Sequence, residues 1–548
     1  LREHYQDQVR VLCSLGRPKE ALLAAERAKL RTGLDQLVIS ERKVVEILSD
    51  SSRARLIEIK GQLERKYAEI EEETNKVLTD RNPGHDLALR SDLENLEFEY
   101  RKIFRLAGGQ ELTANTVHAT TPIAIATLQQ SILDEDQALL EYMVGEGQTE
   151  VFLVTRDTLI HFTVKKSRNE LAGLLEKISC VFSLSSNKAY VWNAALANFD
   201  ISSSAKLFDI LIKPVEKSLG SKSRLIIVAD EVLRRLPFEV LVVGAPSKAS
   251  ADLSRVQFMV DRFELSYVSA ASWLDPAVNI ARRPSRFLLA FGNPAIISDS
   301  HAVMGNNWAV EPEGSKVKSL RPLAGALKEV DQIRQVLGQG VDVLIGAQAT
   351  KSCFKELSPY YKILHVAAHA SFEDDRPNYS SLFLAADPSG EEKGDLRAFE
   401  LPNMDFNAEL VVLSTCNIGW ARNAPGMEGF VRGFLFAGVP SVISAIWSVE
   451  DDATAELMGN FYRYLSRGER KSRALQLAKL DLIKSGKADP FYWGAFVLVG
   501  DPSPITLSAP TKPQNWKWLM LAALVVGATI PVLKGKYRSL LRSVFGKE

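Results

Sequence analysis

The feature that most constrains this chain is a series of unbroken apolar runs, each one strand long, alternating with segments of helical period. The runs are "RLIIVAD" (224–230), "RFLLAFGNP" (286–294), "YKILHVAAHA" (361–370), "ELVVLSTC" (409–416), "SVISAIWSV" (441–449) and "AFVLVGD" (495–501). A strand that is apolar on nearly every residue is buried on both faces, as the strands of a parallel sheet are. Between two of the runs Leu323, Leu327, Val330, Ile333 and Leu337 step by three and four, so a helix spans 323–337. Helices are expected also near 350–357, 452–466 and 470–485. This alternation predicts α/β layers with a largely parallel sheet, whose ligands sit at the carboxyl ends of the strands.

The rest of the chain divides around that pattern. At 548 residues it is long enough for several domains. Residues 1–38 carry Gly16, Ala21 and Ala28 at the small-residue spacing of a tetratricopeptide repeat; an ordinary helical hairpin is the alternative. The chain opens Leu1-Arg2-Glu3 inside this helical pattern, and because one repeat cannot bury its own face, further repeats are expected upstream. Residues 39–112 are charged, with Leu56, Ile59, Leu63, Tyr67 and Ile70 at helical spacing and a break at Asn82-Pro83-Gly84, as in a helical hairpin or coiled-coil arm. A first α/β segment covers 113–282 and a second 283–508. In 509–548 the uncharged stretch Trp518–Leu533 spans about 24 Å as a helix, a little short of the roughly 30 Å of a bilayer core. Beyond it Tyr537, Leu540, Leu541, Val544 and Phe545 form an apolar stripe opposite Lys and Arg. A C-terminal membrane anchor is expected there, with a short core helix and polar tail as the alternative.

Composition excludes little but is useful. Lys plus Arg and Asp plus Glu number 67 each, so no global field favours nucleic acid. There is no phosphate-binding glycine loop and no zinc pattern, and the four cysteines form no Cys-x-x-Cys. No metal or cofactor is expected, and a reducing compartment is.

Two polar groups stand at strand exits. His365 and His369 lie in and just beyond one apolar run, and Cys416 ends another. On neighbouring strands, His369 and Cys416 project from one sheet edge. A histidine beside a thiol raises the thiolate fraction and later protonates a leaving amine. On spacing alone, the alternative that Cys416 is a small core residue stays open. His365, inside the strand, reads as a core or supporting histidine, and its β-branched context does not suit a metal pair.

These motifs, in this order, resemble a CHAT domain, a caspase-like cysteine peptidase domain akin to separase that often follows tetratricopeptide repeats. The resemblance covers 113–502. It rests on His365-Val-Ala-Ala-His369-Ala370, Ser414-Thr415-Cys416, Gly426-Met427-Glu428-Gly429, the Ala437-Gly438 turn, Trp447-Ser448-Val449-Glu450-Asp451, "LRRLPFEVL" (233–241) and "YWGAFVLVGDP" (492–502). It implies a caspase-like α/β fold in two consecutive halves, the first without a dyad, after an α-helical repeat region. It implies that Cys416 is the nucleophile, that His369 is general base and acid, and that the backbone N–H groups of Cys416 and Ala370 hold the oxyanion. Ala370 departs from the family glycine, and alanine disfavours positive φ.

The function expected is a regulated endopeptidase without cofactor. An activating partner would act through the N-terminal repeats, and the C-terminal segment would attach a cytoplasmic catalytic domain to a membrane. Some bacterial members of the family it resembles cleave gasdermin-like pore-formers in defence, and that resemblance, with the apolar tail, suggests a substrate class. Glu373, Asp375, Asp451 and Asp452 are candidates for a pocket that recognises a basic residue. A membrane-attached scaffold with a degenerate protease fold is the competing expectation.

Overall fold

A computed structural model describes residues 2–35, 50–75, scattered positions from 85 to 99, 122–183, 199–244, 252–275, 284–298, 318–319, 322–372, 377–389, 394–417, 425–447 and 449–505; of Cys416 and Asn417 it describes the backbone. The stretch at 518–533 lies outside these residues. Among the described residues no helix is long and apolar enough to cross a membrane.

The chain opens with a helical hairpin, α1 (Arg2–Ser14) and α2 (Pro18–Asp35), followed by α3 (Asp50–Asn75). The strands that follow are β1 (Gln137–Val144), β2 (Thr149–Thr155), β3 (Leu159–Val164), β4 (Arg224–Val228) and β5 (Glu264–Tyr267). Then come β6 (Arg286–Pro294), β7 (Ile297–Ser298), β8 (Lys318–Ser319), β9 (Val341–Gly346), β10 (Tyr361–Ala367), β11 (His369–Ser371), β12 (Ser381–Phe383) and β13 (Asp395–Arg397). The last are β14 (Leu410–Leu413), β15 (Cys416–Asn417), β16 (Ser441–Ala445) and β17 (Phe496–Gly500). The main helices among them are α4 (Arg168–Ser183), α5 (Ile201–Leu211), α6 (Lys213–Leu219), α7 (Ala324–Leu337), α8 (Lys351–Leu357), α9 (Pro425–Phe436), α10 (Asp451–Ser466) and α11 (Lys471–Lys484).

Eleven strands form one sheet, in the order β3-β2-β1-β4-β5-β17-β16-β14-β10-β6-β9. Its inner pairs are parallel, apart from β16 with β17, and the β1-β2-β3 edge is antiparallel. The two α/β segments thus share a single sheet, joined where Val499 of β17 pairs with Tyr267 of β5. The strands alternate between one core on one face of the sheet and two on the other. Ile363 faces one core while Leu364 and Val366 face the other, and Leu140 and Tyr142 lie opposite Leu139 and Met143. One core runs under both segments. On the opposite face α2 covers β1, β2 and β4, and α9 covers the β10–β14 region.

The "LPFE" signature is part of the joint. Glu239 is buried and accepts from Lys479 Nζ of α11 at 2.8 Å, and Tyr267 Oη donates to its other oxygen. Helix 323–337 forms, but its buried face is Gly325, Ala326, Glu329, Val330 and Ile333, while Leu327 is 37% exposed. The cause is α10. A β-carbon on Gly325 would overlap Asp451, so the small residues of α7 face its neighbour helix and turn Leu327 outward.

Candidate active site

Strands β10 and β14 lie side by side in the sheet, with Ile363 opposite Leu410 through to Val366 opposite Leu413. Ser414 N–H donates to Val366 O at 2.9 Å, which carries the pairing past the end of β14. Both chains then enter a second, four-stranded sheet, β13-β12-β11-β15. There β11 and β15 are parallel, with His369 opposite Cys416 and Ala370 opposite Asn417. Neighbouring strands are spaced about 4.8 Å apart, and register partners put their β-carbons on the same face. The imidazole-bearing and thiol-bearing residues are therefore neighbours because two apolar strands deliver them to one edge.

His369 is 4% exposed. Ala370 is fully buried and lies in an extended strand, with Leu382 of β12 on its other side. Among the described residues Asn293 is the sole non-glycine residue with positive φ, so the position Ala370 occupies makes no demand for glycine.

Beneath the pair lies a buried polar chain that links both delivering strands to two helices. Ser414 Oγ donates to Glu329 Oε2 of α7 at 2.9 Å. Glu329 Oε1 lies 3.1 Å from His365 Nε2, and His365 Nδ1 is 3.0 Å from Tyr462 Oη of α10. Burial, with the Glu329 carboxylate adding to it, pushes the Tyr462 phenol far above its usual range, so it stays a hydroxyl beside Nδ1. His365 is thus a supporting histidine. Glu329 and Tyr462 were not singled out in the sequence, although Glu329 lies three residues from Ala326 and four from Ile333.

Helix α9 begins at Pro425, beyond Cys416 in the chain. Gly429 is needed for contact, since a β-carbon there would overlap the Pro377 carbonyl. Glu428 pairs with Arg432 at 2.6 Å and approaches Arg234, from the first segment, at 3.4 Å. Gly438 ends the turn after α9 at φ 90°, a conformation that glycine supplies without steric cost. Of the acidic pocket candidates, Asp451 Oδ2 accepts from Gly325 N–H at 3.1 Å, and exposed Asp452 pairs with Lys328 at 2.6 Å. Both open α10, where the helix dipole favours them. Glu373 and Asp375 lie outside the described residues.

Comparison with known proteins adds the following. The family model described as CHAT domain matches residues 202–501. The chain is 25% identical over 360 aligned positions to tetratricopeptide repeat protein 28 of Mus musculus, a match that takes in 56% of this chain and 13% of that protein. Two crystal structures of the Saccharomyces cerevisiae separase–securin complex overlay on it. One does so at a TM-score of 0.40 and 10% identity, covering 72% of this chain and 31% of that one. The other does so at 0.39 and 9%, covering 89% and 41%.

Proposed function

Because the chain belongs to the CHAT domain family, we infer that it is a cysteine endopeptidase with a Cys416–His369 dyad. The observation that carries this reading is the register of His369 with Cys416 on adjacent strands. His369 takes the thiol proton as Cys416 Sγ attacks the carbonyl carbon of the scissile peptide. The backbone N–H groups of Cys416 and Ala370 stabilise the tetrahedral oxyanion. His369 then passes its proton to the leaving amine as the C–N bond breaks and a thioester remains. Water, deprotonated by His369, hydrolyses the thioester, and the thiol recovers its proton.

The substrate is a protein. The resemblance and the apolar tail make a gasdermin-like pore-former the first candidate. The tail at 509–548 attaches a cytoplasmic enzyme to a membrane, and an activating partner acts through tetratricopeptide repeats of which 1–38 is one. For recognition of a basic residue we rank Glu373 and Asp375 ahead of Asp451 and Asp452, whose carboxylates already have partners.

The test is cleavage of a peptide library by the wild-type chain and by Cys416→Ala. Cleavage lost in the variant supports the reading. Equal cleavage by both sinks it, and no cleavage by either, with the activating partner present, favours a membrane-attached scaffold.

A further inference from the structure

A second group of reactive side chains lies far from the dyad, where the N-terminal hairpin meets the antiparallel edge of the sheet. Cys13 of α1, Glu150 of β2 and His161 of β3 bring a thiol, a carboxylate oxygen and an imidazole nitrogen within 4.8 Å of one another. Glu150 is buried, and the other two are half-buried. The carboxylate is held from several sides. His161 Nε2 is 2.6 Å from Oε2, Thr163 Oγ1 donates to the same oxygen at 2.8 Å, and Gln148 Nε2 donates to Oε1. The His161 ring is steadied by Phe152, at 5.3 Å between centroids.

Thiolate, imidazole and carboxylate are the donors that zinc selects, at about 2.3, 2.0 and 2.1 Å. Tetrahedral neighbours at those bond lengths stand about 3.3–3.6 Å apart. Here no pair exceeds 4.8 Å, and an ion would draw Cys13 inward while parting His161 from Glu150, now 2.6 Å apart. Partners that orient a ligating carboxylate are part of working metal sites, and Gln148 and Thr163 fill that role. Cys13 and Glu150 come from packed elements, where a divalent cation offsets the desolvation of two anionic ligands.

We propose that Cys13, Glu150 and His161 bind a divalent cation of the zinc class, with a fourth position open to water, and that the ion fastens α1 to the β2–β3 edge. Sequence pattern does not reveal the site, because its ligands come from three elements and one of them belongs to the helical hairpin.

The test uses the full chain carrying Cys416→Ala, which removes the dyad thiol as a competitor and makes the result independent of the proposed peptidase activity. Zinc is titrated into chelator-treated protein against a chromophoric chelator, and cobalt is substituted to read thiolate coordination by its charge-transfer absorption. One equivalent should bind, with a thiolate band, and Cys13→Ser and His161→Gln should each weaken binding about tenfold or more. Cys353→Ser, which changes another free half-buried thiol, should bind like the parent and retain the band. Far-ultraviolet circular dichroism like the parent's shows that the variants fold. Binding unchanged in folded Cys13→Ser, a cobalt spectrum without the thiolate band, or no binding by the parent would each overturn the proposal.

Discussion

The two halves of the sheet end differently at the same edge, the edge where an α/β sheet places its ligands. Beyond β4 and β5 the edge is closed by the protein's own helix. Lys29 of α2 meets buried Glu141 at 2.9 Å and Val228 O at 3.3 Å. Glu26 accepts from Ala271 N–H, Ser272 N–H and Ser272 Oγ at 2.8–3.0 Å. Beyond β10 and β14 the edge instead continues into a small second sheet that pairs His369 with Cys416. One architecture thus serves as a joint in one half and as a candidate catalytic centre in the other. What distinguishes them is the residues at the strand exits: an ion pair with the hairpin, or a histidine in register with a cysteine.

The largest effect should come from breaking the joint. Lys29→Met leaves Glu141 buried without its cation and should cost about 3–5 kcal/mol at neutral pH, read by chemical denaturation. The cost should depend on pH. Desolvation raises the Glu141 carboxyl above its usual 4.5 in the fold, against the pull of Lys29. A raised carboxyl holds more protons folded than unfolded, so its contribution to stability falls as pH rises above 4.5. Without Lys29 the fall steepens, and the variant should recover toward wild type near pH 5. An equal deficit at pH 5 and pH 8 would mean that packing, not charge, holds this joint.

On the other side the comparison sharpens through Glu329. Glu329→Gln keeps the shape but weakens the hold on Ser414 and the electrostatic contact with His365, and so on the two strands that lead to Cys416 and His369. A misplacement on the scale of 1 Å lowers turnover by up to about a hundredfold, so kcat should drop between about tenfold and a hundredfold with KM little changed. A rise in KM alone would move Glu329 from positioning to substrate binding. Gly429→Ala should follow, costing roughly 1–3 kcal/mol as α9 shifts off the Pro377 carbonyl. The smallest effect belongs to Lys328→Ala. Its pair with Asp452 is exposed, with side chains at 51% and 67%, so solvent screens it and the denaturation midpoint should hardly move.

These contrasts also mark what sequence shows and hides. The strands at 361–367 and 410–413 were legible because they are largely apolar, and the positions of His365 within one and of His369 and Cys416 beyond their ends followed. The second sheet was hidden, since its strands are two or three residues long and carry no periodicity. The single sheet was hidden too. Its joint depends on β17 pairing with β5 and on Lys479 reaching Glu239, both long-range contacts that no local window contains. Glu329 carries no signal in the sequence, because the residues it meets, Ser414 and His365, lie far along the chain.

The claim on which the rest depends is that His369 activates Cys416. The most direct measurement is the rate at which iodoacetamide alkylates Cys416, followed on its peptide by mass spectrometry, in the wild-type chain and in His369→Ala near neutral pH. The dyad predicts faster alkylation in the wild type by about tenfold or more, because the imidazole raises the thiolate fraction. Equal rates in the two folded proteins would contradict it and leave Cys416 a thiol at the end of a core strand.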